Sequence, residues 1–199
     1  MPLPDTPDHS HSHSHNLEIK VACGEDGLAE VTMRLARLGT TVCERLAQVD
    51  TYLRASHGRL KLRTIAHVDA NEVVGPVERA ELIGYERADE KGSRWSRYHV
   101  VPIPASEADT LRTTLAATIG RLVTVAKRRD IALAGQTRIH LDRVEGLGAF
   151  IELETVIAEQ PEAEAIAEHQ AIIKALGLDR WDAVPGSYSD LLLASGRVP

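Results

Sequence analysis

The sequence contains few cysteines and no long apolar segment. Only Cys23 and Cys43 are present among 199 residues, which is too few for the disulfide framework of a small secreted domain. We expect both to be reduced thiols. No apolar run is long enough to span a bilayer, and the N-terminal residues do not have the pattern of a signal peptide. These absences exclude a disulfide scaffold and a helical membrane protein, and they favour a cytoplasmic location.

An excess of positive charge is also missing. The formal net charge is −6, so we do not expect the general surface to bind nucleic acid or an anionic membrane. A locally basic cavity is still compatible with this charge. Hydrophobic residues make up 43% of the chain, which is enough for one buried core. We expect one domain over residues 15–199, preceded by a disordered tail rich in His and Ser at residues 1–14.

Most of the chain is predicted to form β-strands separated by short turns. Alternation of apolar and polar residues indicates strands, and the short turns between them favour antiparallel pairing. The predicted strands are Leu17–Cys23, Thr41–Leu53, Arg59–Ala66, Val77–Arg87, Ser93–Ile103, Leu122–Asp130, Thr137–Val144 and Phe150–Ile157. The predicted helices are Asp26–Leu38, Ser106–Ile119 and Pro161–Leu176, with a short one in "SYSDLLLAS". We therefore predict a mainly β fold with flanking helices, an α+β class.

The strands have charged faces that are unusually uniform in sign. In "GAFIELETV", Glu152 and Glu154 share one face of a strand whose other face is apolar. Two carboxylates this close repel each other unless water or cations intervene. Other strands are basic in the same way, as in "GRLKLRTI" and "VAKRRD". The acidic and basic faces therefore come from different strands.

Two interpretations of these charged faces remain open from the pattern alone. A half-solvated antiparallel sheet would place its polar face in water, and this explains any single strand. A closed barrel with a polar lumen and helices packed outside explains the whole set of strands better. A lumen with carboxylates on one wall and Lys and Arg on another would suit a polyphosphate chelated to divalent cations.

A family resemblance supports the barrel. The segment "NLEIK" is similar to the Glu-x-Glu-x-Lys signature of the CYTH superfamily, the triphosphate tunnel metalloenzymes. Further segments resemble successive blocks of its class IV adenylyl cyclase-like branch: "QVDTYLRASHGRLKLR", "ELIGYERAD", "SRWSRYHVVPI", "VAKRRDIALAGQTRIHLDRVEGLGAFIELE" and "GSYSDLL". The resemblance covers residues 16–193. It implies a closed eight-stranded antiparallel barrel that forms a polar tunnel.

The resemblance also implies which residues form the site. The residues that match metal-binding carboxylates for Mg²⁺ or Mn²⁺ are Glu18, Asp142, Glu152 and Glu154. The bases expected to act in catalysis are Lys20, Lys127 and Arg129, and those expected to bind triphosphate are Lys61, Arg63, Arg87 and Arg138. One position departs from the signature, since Asn16 replaces its first Glu. Asn keeps a carbonyl oxygen but loses a charge, so a second metal ion is expected to bind less tightly.

The expected function is a metal-dependent reaction on a nucleoside triphosphate or inorganic triphosphate. The class IV branch implies conversion of ATP to cyclic AMP and pyrophosphate. A triphosphatase and a binding module without turnover are the alternatives. The protein is expected to act as a monomer or homodimer, without nucleic acid or membrane. Aromatic residues make up only 4% of the chain, so few groups are available to stack on a base, and we expect Trp95, Trp181 and Tyr188 to be packing residues.

Overall fold

The computed structural model describes residues 15–87, 94–157 and 161–196. Its strands are β1 (His15–Ala22), β2 (Val42–Leu53), β3 (Arg59–Val68), β4 (Val74–Arg87), β5 (Arg94–Ile103), β6 (Arg121–Ala134), β7 (Thr137–Val144) and β8 (Gly148–Ile157). Its α-helices are α1 (Gly24–Arg37), α2 (Ala108–Thr118), α3 (Glu162–Leu176) and α4 (Tyr188–Ala194). Within the described residues, no helix is both long and apolar enough to cross a membrane.

Each predicted strand and helix is present, and the differences are at the ends. The largest is in β6, which was predicted to end at Asp130 and continues to Ala134. Its last four residues, Ile131–Ala134, are all apolar and therefore lack the alternation that marks a strand. They nevertheless pair with β7, and Ala132 is fully buried. The predicted tail at residues 1–14 lies outside the described residues.

The strands pair antiparallel in the order β1-β5-β4-β3-β2-β6-β7-β8. The first strand pairs with both β5 and β8, so the hydrogen-bonded neighbours run in a ring and the sheet is a closed barrel. The predicted eight-stranded antiparallel sheet with flanking helices is confirmed. Because successive side chains of a strand point to opposite faces, each strand contributes one row of side chains to the lumen and one to the outside.

Two helices cover one side of the barrel. Leu28, Val31 and Leu35 of α1 pack on the outer face of the sheet, where Ile151 and Leu153 of β8 are fully buried. Residues near the end of α3 join the same cluster. The apolar rows of β1, β6, β7 and β8 therefore face the helices, as the alternation predicts, and their polar rows face the lumen.

The short helix α4 closes part of the barrel. Ser187 accepts a hydrogen bond from the Asp190 backbone, and the Asp190 carboxylate accepts one from the Ser187 backbone, which fixes the start of the helix. This cap directs Tyr188 and Leu192 into an apolar cluster on the lumen side. The strand residues in that cluster include Val123, Val125, Val144 and Phe150. The lumen is therefore a polar cavity beside an apolar plug.

The outer core should dominate the stability of the barrel. Leu153 is fully buried beneath the helices, whereas Leu133 on β6 is 54% exposed. We expect Leu153→Ala to lower the free energy of unfolding by about 2–5 kcal/mol, because it leaves a cavity in the packed cluster. The matched change Leu133→Ala should alter it by about 0.5 kcal/mol or less. Urea unfolding followed by circular dichroism measures both, and equal losses would contradict this account of the core.

Candidate functional site

The barrel lumen contains a cavity of about 280 Å³ to which every strand contributes side chains. The predicted site residues that line it are Glu18, Lys20, Lys61, Arg63, Lys127, Arg129, Arg138, Glu152 and Glu154. Asp142 lies beneath this lining and is fully buried. Arg87 is the last residue of β4, and its side chain lies outside the described residues. The structure thus gathers residues from distant parts of the sequence into one polar cavity.

The basic lining of the lumen consists of Lys20, Lys61, Arg63, Lys127 and Arg129. One part of it is organised by Asp50, a residue of β2 that was not among the predicted site residues. Its carboxylate accepts hydrogen bonds from Lys61 Nζ at 3.0 Å and from Arg63 Nε at 2.7 Å. Burial by itself raises the pKa of Asp50, but Arg63 and Lys61 outweigh burial and hold this pKa well below its usual range. Asp50 therefore stays charged and holds both bases in place.

The other part of the basic lining is organised by Asp142. Arg129 donates two hydrogen bonds to its carboxylate, at 2.6 and 2.5 Å, and Tyr188 donates a third at 2.8 Å. Lys127 Nζ lies 3.8 Å away. Burial raises the pKa of Asp142, but Arg129 and Lys127 outweigh it and lower the pKa overall. Asp142 is surrounded by cations and a hydroxyl of this chain, which is the environment of a structural counter-ion.

Two lysines of the basic lining, Lys61 and Lys127, have lowered pKa values. Burial, with Arg129 nearby, lowers the pKa of Lys127 to about 7. Burial, with Arg63 nearby, lowers the pKa of Lys61 to about 8. Both ammonium groups are therefore close to losing a proton near neutral pH, and an anion beside them would favour the charged form.

Glu152 belongs to the basic part of the cavity rather than to an isolated acidic face. Lys20 Nζ lies 3.3 Å from one of its oxygens, and Arg129 donates to the other at 2.8 Å. Burial raises the pKa of Glu152, but Lys20, the nearby His140 ring and Arg129 together hold it well below its usual range. Two cations of this chain thus compensate the Glu152 charge.

Glu18 and Glu154 form a separate acidic position. They are direct partners across β1 and β8, so their carboxylates enter the lumen side by side. Tyr98 donates its hydroxyl to Glu18, and the Asn16 amide nitrogen donates to Glu154. Arg138, which is half exposed, lies 3.4 Å from Glu154. This is the part of the cavity where carboxylates meet with neutral donors close by.

The donors at this acidic position fit a divalent cation. Carboxylate and amide oxygens are the ligands that Mg²⁺ and Mn²⁺ prefer. Glu18 and Glu154 supply two carboxylates, and the buried Asn16 Oδ1 atom has no hydrogen-bond partner in the described structure. No three His, Cys, Asp or Glu side chains of residues 15–87, 94–157 and 161–196 are grouped closely enough to hold a metal ion by themselves. A cation site here would therefore include the Asn16 oxygen.

His140 is a further buried lumen residue that the sequence analysis did not select as a site residue. Its Nδ1 atom lies 3.7 Å from Glu152, and its Nε2 atom lies 3.8 Å from Glu154. Burial and the nearby Arg129 lower the pKa of His140, which favours the neutral ring. The ring thus separates the two glutamates of β8. Its place in "TRIHLD", between the lumen residues Arg138 and Asp142, was the available signal.

Although aromatic residues are scarce in the sequence, all four tyrosines of the chain line the cavity. The Tyr52 and Tyr85 hydroxyls are 3.4 Å apart, and Lys61 Nζ lies about 5.5 Å from each ring centroid. Lys20 Nζ lies 4.0 Å from the Tyr188 ring centroid. Aromatic faces stabilise buried ammonium groups in this arrangement.

The three residues expected to pack have different positions. Tyr188 does pack, with its ring centroid 5.1 Å from that of Phe150, but its hydroxyl also binds Asp142. Trp181 is partly buried against the outer core, away from the lumen. The Trp95 side chain lies outside the described residues. The packing prediction was therefore incomplete for Tyr188, which also takes part in the site.

Comparisons with known proteins agree with the geometry. The CYTH domain matches residues 14–188, and no curated protein matches the chain. The PH1012 protein from Pyrococcus horikoshii has a similar structure, with 22% identity and a TM-score of 0.69 over 88% of this chain and 98% of that one. The PH1819 protein of the same organism is also similar in structure, with 23% identity and a TM-score of 0.65 over 90% of this chain and 99% of that one.

A proposed adenylate cyclase from Vibrio parahaemolyticus is also similar, with 17% identity and a TM-score of 0.62 over 91% of this chain and 99% of that one. Structural similarity at these identities shows the fold. The domain match covers all eight strands that form the lumen. On that match, the chain belongs to the CYTH domain family.

Proposed function

We propose that the lumen binds the triphosphate group of a nucleoside triphosphate or of inorganic triphosphate, together with Mg²⁺ or Mn²⁺, and catalyses its reaction. The observation that carries this proposal is the number of cations facing one cavity: Lys20, Lys61, Arg63, Lys127 and Arg129. Three carboxylates, those of Asp50, Asp142 and Glu152, contact these five cations. Uncompensated buried cations are unfavourable, so the basic lining is suited to a polyanion.

The residues of this chain would divide the work of the site. Arg129 and Arg63 stay charged because the buried carboxylates beside them outweigh burial and raise their pKa values. The same carboxylates hold both guanidinium groups in fixed positions, where they would contact phosphate oxygens. Lys127 would add a proton-bearing ammonium group where negative charge develops in the transition state. Asp50 and Asp142 would keep these cations in place before the substrate arrives. In this scheme Asp142 positions Arg129 rather than binding metal.

The acidic position would hold the cation. Glu18, Glu154 and the Asn16 carbonyl oxygen are the residues that fit it, and the cation supplies charge neutralisation at the phosphate oxygens when bound. Glu152 and His140 lie between this position and the basic lining. Under this proposal the acidic position and the basic lining together hold a metal–triphosphate complex.

Two reactions on such a complex are compatible with these residues. In a cyclase reaction, the ribose 3′-oxygen of ATP attacks the α-phosphorus, forms the cyclic ester and releases pyrophosphate. We favour this reaction because the sequence segments resemble the class IV cyclase branch. In a triphosphatase reaction, water attacks the terminal phosphorus and releases orthophosphate. The cavity volume of about 280 Å³ favours this second candidate, since it is at the lower end of ligand pockets.

Turnover tests the proposed function directly. We expect ATP or inorganic triphosphate to react only when Mg²⁺ or Mn²⁺ is added. Cyclic AMP with pyrophosphate identifies the cyclase, and orthophosphate with ADP or with pyrophosphate identifies the triphosphatase.

Glu154→Gln should lower the rate by about 100-fold or more, since it removes a charge from the acidic position. Glu164→Gln on the exposed start of α3 is the matched control and should keep full activity. Binding of both substrates without any turnover would contradict the proposed enzymatic activity and would favour a triphosphate-binding module instead.

A lysine of the basic lining should contribute to triphosphate affinity. Lys127→Met keeps most of the side-chain stem and removes the charge. We expect it to weaken binding of inorganic triphosphate by about 1.5–3 kcal/mol, the usual contribution of a charge-assisted hydrogen bond. Isothermal titration calorimetry measures this, with the exposed Lys174→Met on α3 as the control. Arg129→Ala is a poorer test, because it leaves Asp142 buried without its main partner. Unchanged affinity in Lys127→Met would remove this lysine from the site.

Triphosphate binding should depend on pH through the same lysine. The pKa of Lys127 is about 7 in the structure, and a bound polyanion would raise it. Binding at pH 8 should therefore take up protons, and affinity should fall as the pH rises above 7, by at most about tenfold per pH unit for one lysine. Calorimetry at pH 8 in two buffers with different ionisation enthalpies measures the uptake. The uptake should be smaller in Lys127→Met, and an equal uptake would show that the proton goes elsewhere.

A further inference from the structure

Asn16 is a buried amide whose two polar atoms have different surroundings. The side chain is 2% exposed and lines the lumen cavity. Its amide nitrogen donates to Glu154, whereas its carbonyl oxygen is buried without a hydrogen-bond partner in the described structure. Turning the amide over would place its oxygen against the Glu154 carboxylate, so the contact with Glu154 fixes the orientation. The unpartnered atom is therefore an oxygen, and burial of an oxygen without a partner is unfavourable.

The amide lies beside two carboxylates, one of which, Glu154, also has the half-exposed Arg138 3.4 Å away. Glu18 is two residues along β1 on the same face, and it pairs directly with Glu154 of β8. Three oxygen-bearing side chains thus meet at one position of the lumen wall. The neighbouring acid Glu152 is already contacted by Lys20 and Arg129. An unpartnered amide oxygen beside two carboxylates is the environment of a cation ligand rather than of an anion ligand.

We propose that the Asn16 carbonyl oxygen is a metal ligand, and that Asn16 limits the lumen to one divalent cation held with Glu18 and Glu154. This inference rests on the proposed function. Two carboxylates balance the charge of one Mg²⁺ or Mn²⁺ ion, and the amide adds an oxygen without adding charge. Glu152 and Asp142 are neutralised by cations of the chain, so they leave no charge for a second ion.

The amide has a second consequence for the site. A carboxylate at position 16 would lie against Glu154 without a hydrogen atom to donate, and the two charges would repel each other. A second cation would relieve that repulsion, as would a proton bound to one of the two acids. Asn16→Asp should therefore create the conditions for a second metal ion, while the native amide holds Glu154 in place without one.

Counting bound Mn²⁺ tests the inference without measuring activity. Electron paramagnetic resonance of free Mn²⁺ gives the stoichiometry and affinity, for Mn²⁺ alone and with imidotriphosphate, a triphosphate analogue that resists hydrolysis. We expect one Mn²⁺ per native chain. Asn16→Leu keeps a similar size without the oxygen and should weaken Mn²⁺ binding by about 10-fold or more. Asn16→Asp should bind a second Mn²⁺ when imidotriphosphate is present. The control is Asn71→Asp on an exposed turn, which should bind one Mn²⁺ like the native chain.

The outcomes separate this inference from the proposed function. Two Mn²⁺ ions in the native chain, or unchanged Mn²⁺ affinity in Asn16→Leu, would overturn the role of Asn16 and leave a metal-dependent triphosphate site intact. Absence of Mn²⁺ binding even with imidotriphosphate would overturn both. Thermal unfolding of each variant without metal shows whether it is folded, and if Asn16→Asp does not fold, the Mn²⁺ affinity of Asn16→Leu decides the question.

Discussion

The buried ion pair of Arg129 and Asp142 is the interaction on which the lumen depends. Its two hydrogen bonds fix the guanidinium group, and Tyr188 of α4 donates a third hydrogen bond to the same carboxylate. The Arg129 Nη2 atom that donates to Asp142 also donates to Glu152 on β8. The ion pair thus connects β6, β7, β8 and helix α4. Removing either partner would leave an uncompensated buried charge, which is strongly destabilising.

The cost of burying such charges explains why the barrel needs its outer core. Each strand that places a charged row in the lumen places an apolar row outside, and α1 and α3 cover that row on β1, β6, β7 and β8. Hydrophobic burial outside can therefore offset unfavourable charge burial inside. The same alternation that produces the site also produces the surface that stabilises it. A protein of net charge −6 can hold a cluster of cations in its lumen for this reason.

The sequence predicted the strands and the lumen-facing residues well, because both follow from alternation along a single strand. It did not predict which charges contact each other, because that depends on pairing register and side-chain reach between strands. Asp50 shared a face with Tyr52 in the sequence, but only the pairing of β2 with β3 places it against Lys61 and Arg63. Tyr188 follows the last strand by thirty residues, so no periodicity could place its hydroxyl on Asp142. The contact of Lys20 with Glu152 was missed for the same reason, since Lys20 comes from β1, and metal binding by Glu152 stays a prediction.

The register of β1 on β8 separates the two chemical zones of the lumen. It pairs Lys20 with Glu152 and Glu18 with Glu154, so neighbouring glutamates on one strand acquire opposite surroundings. A slip of one residue would turn the charged row of β1 out of the lumen, and a slip of two would change which acid meets the lysine. The signature "NLEIK" therefore encodes a position against β8 as well as a set of residue types. Because this register places Glu152 against Lys20 and Glu154 against Glu18, the lumen could offer positive charge to phosphate and oxygen ligands to a metal within one cavity.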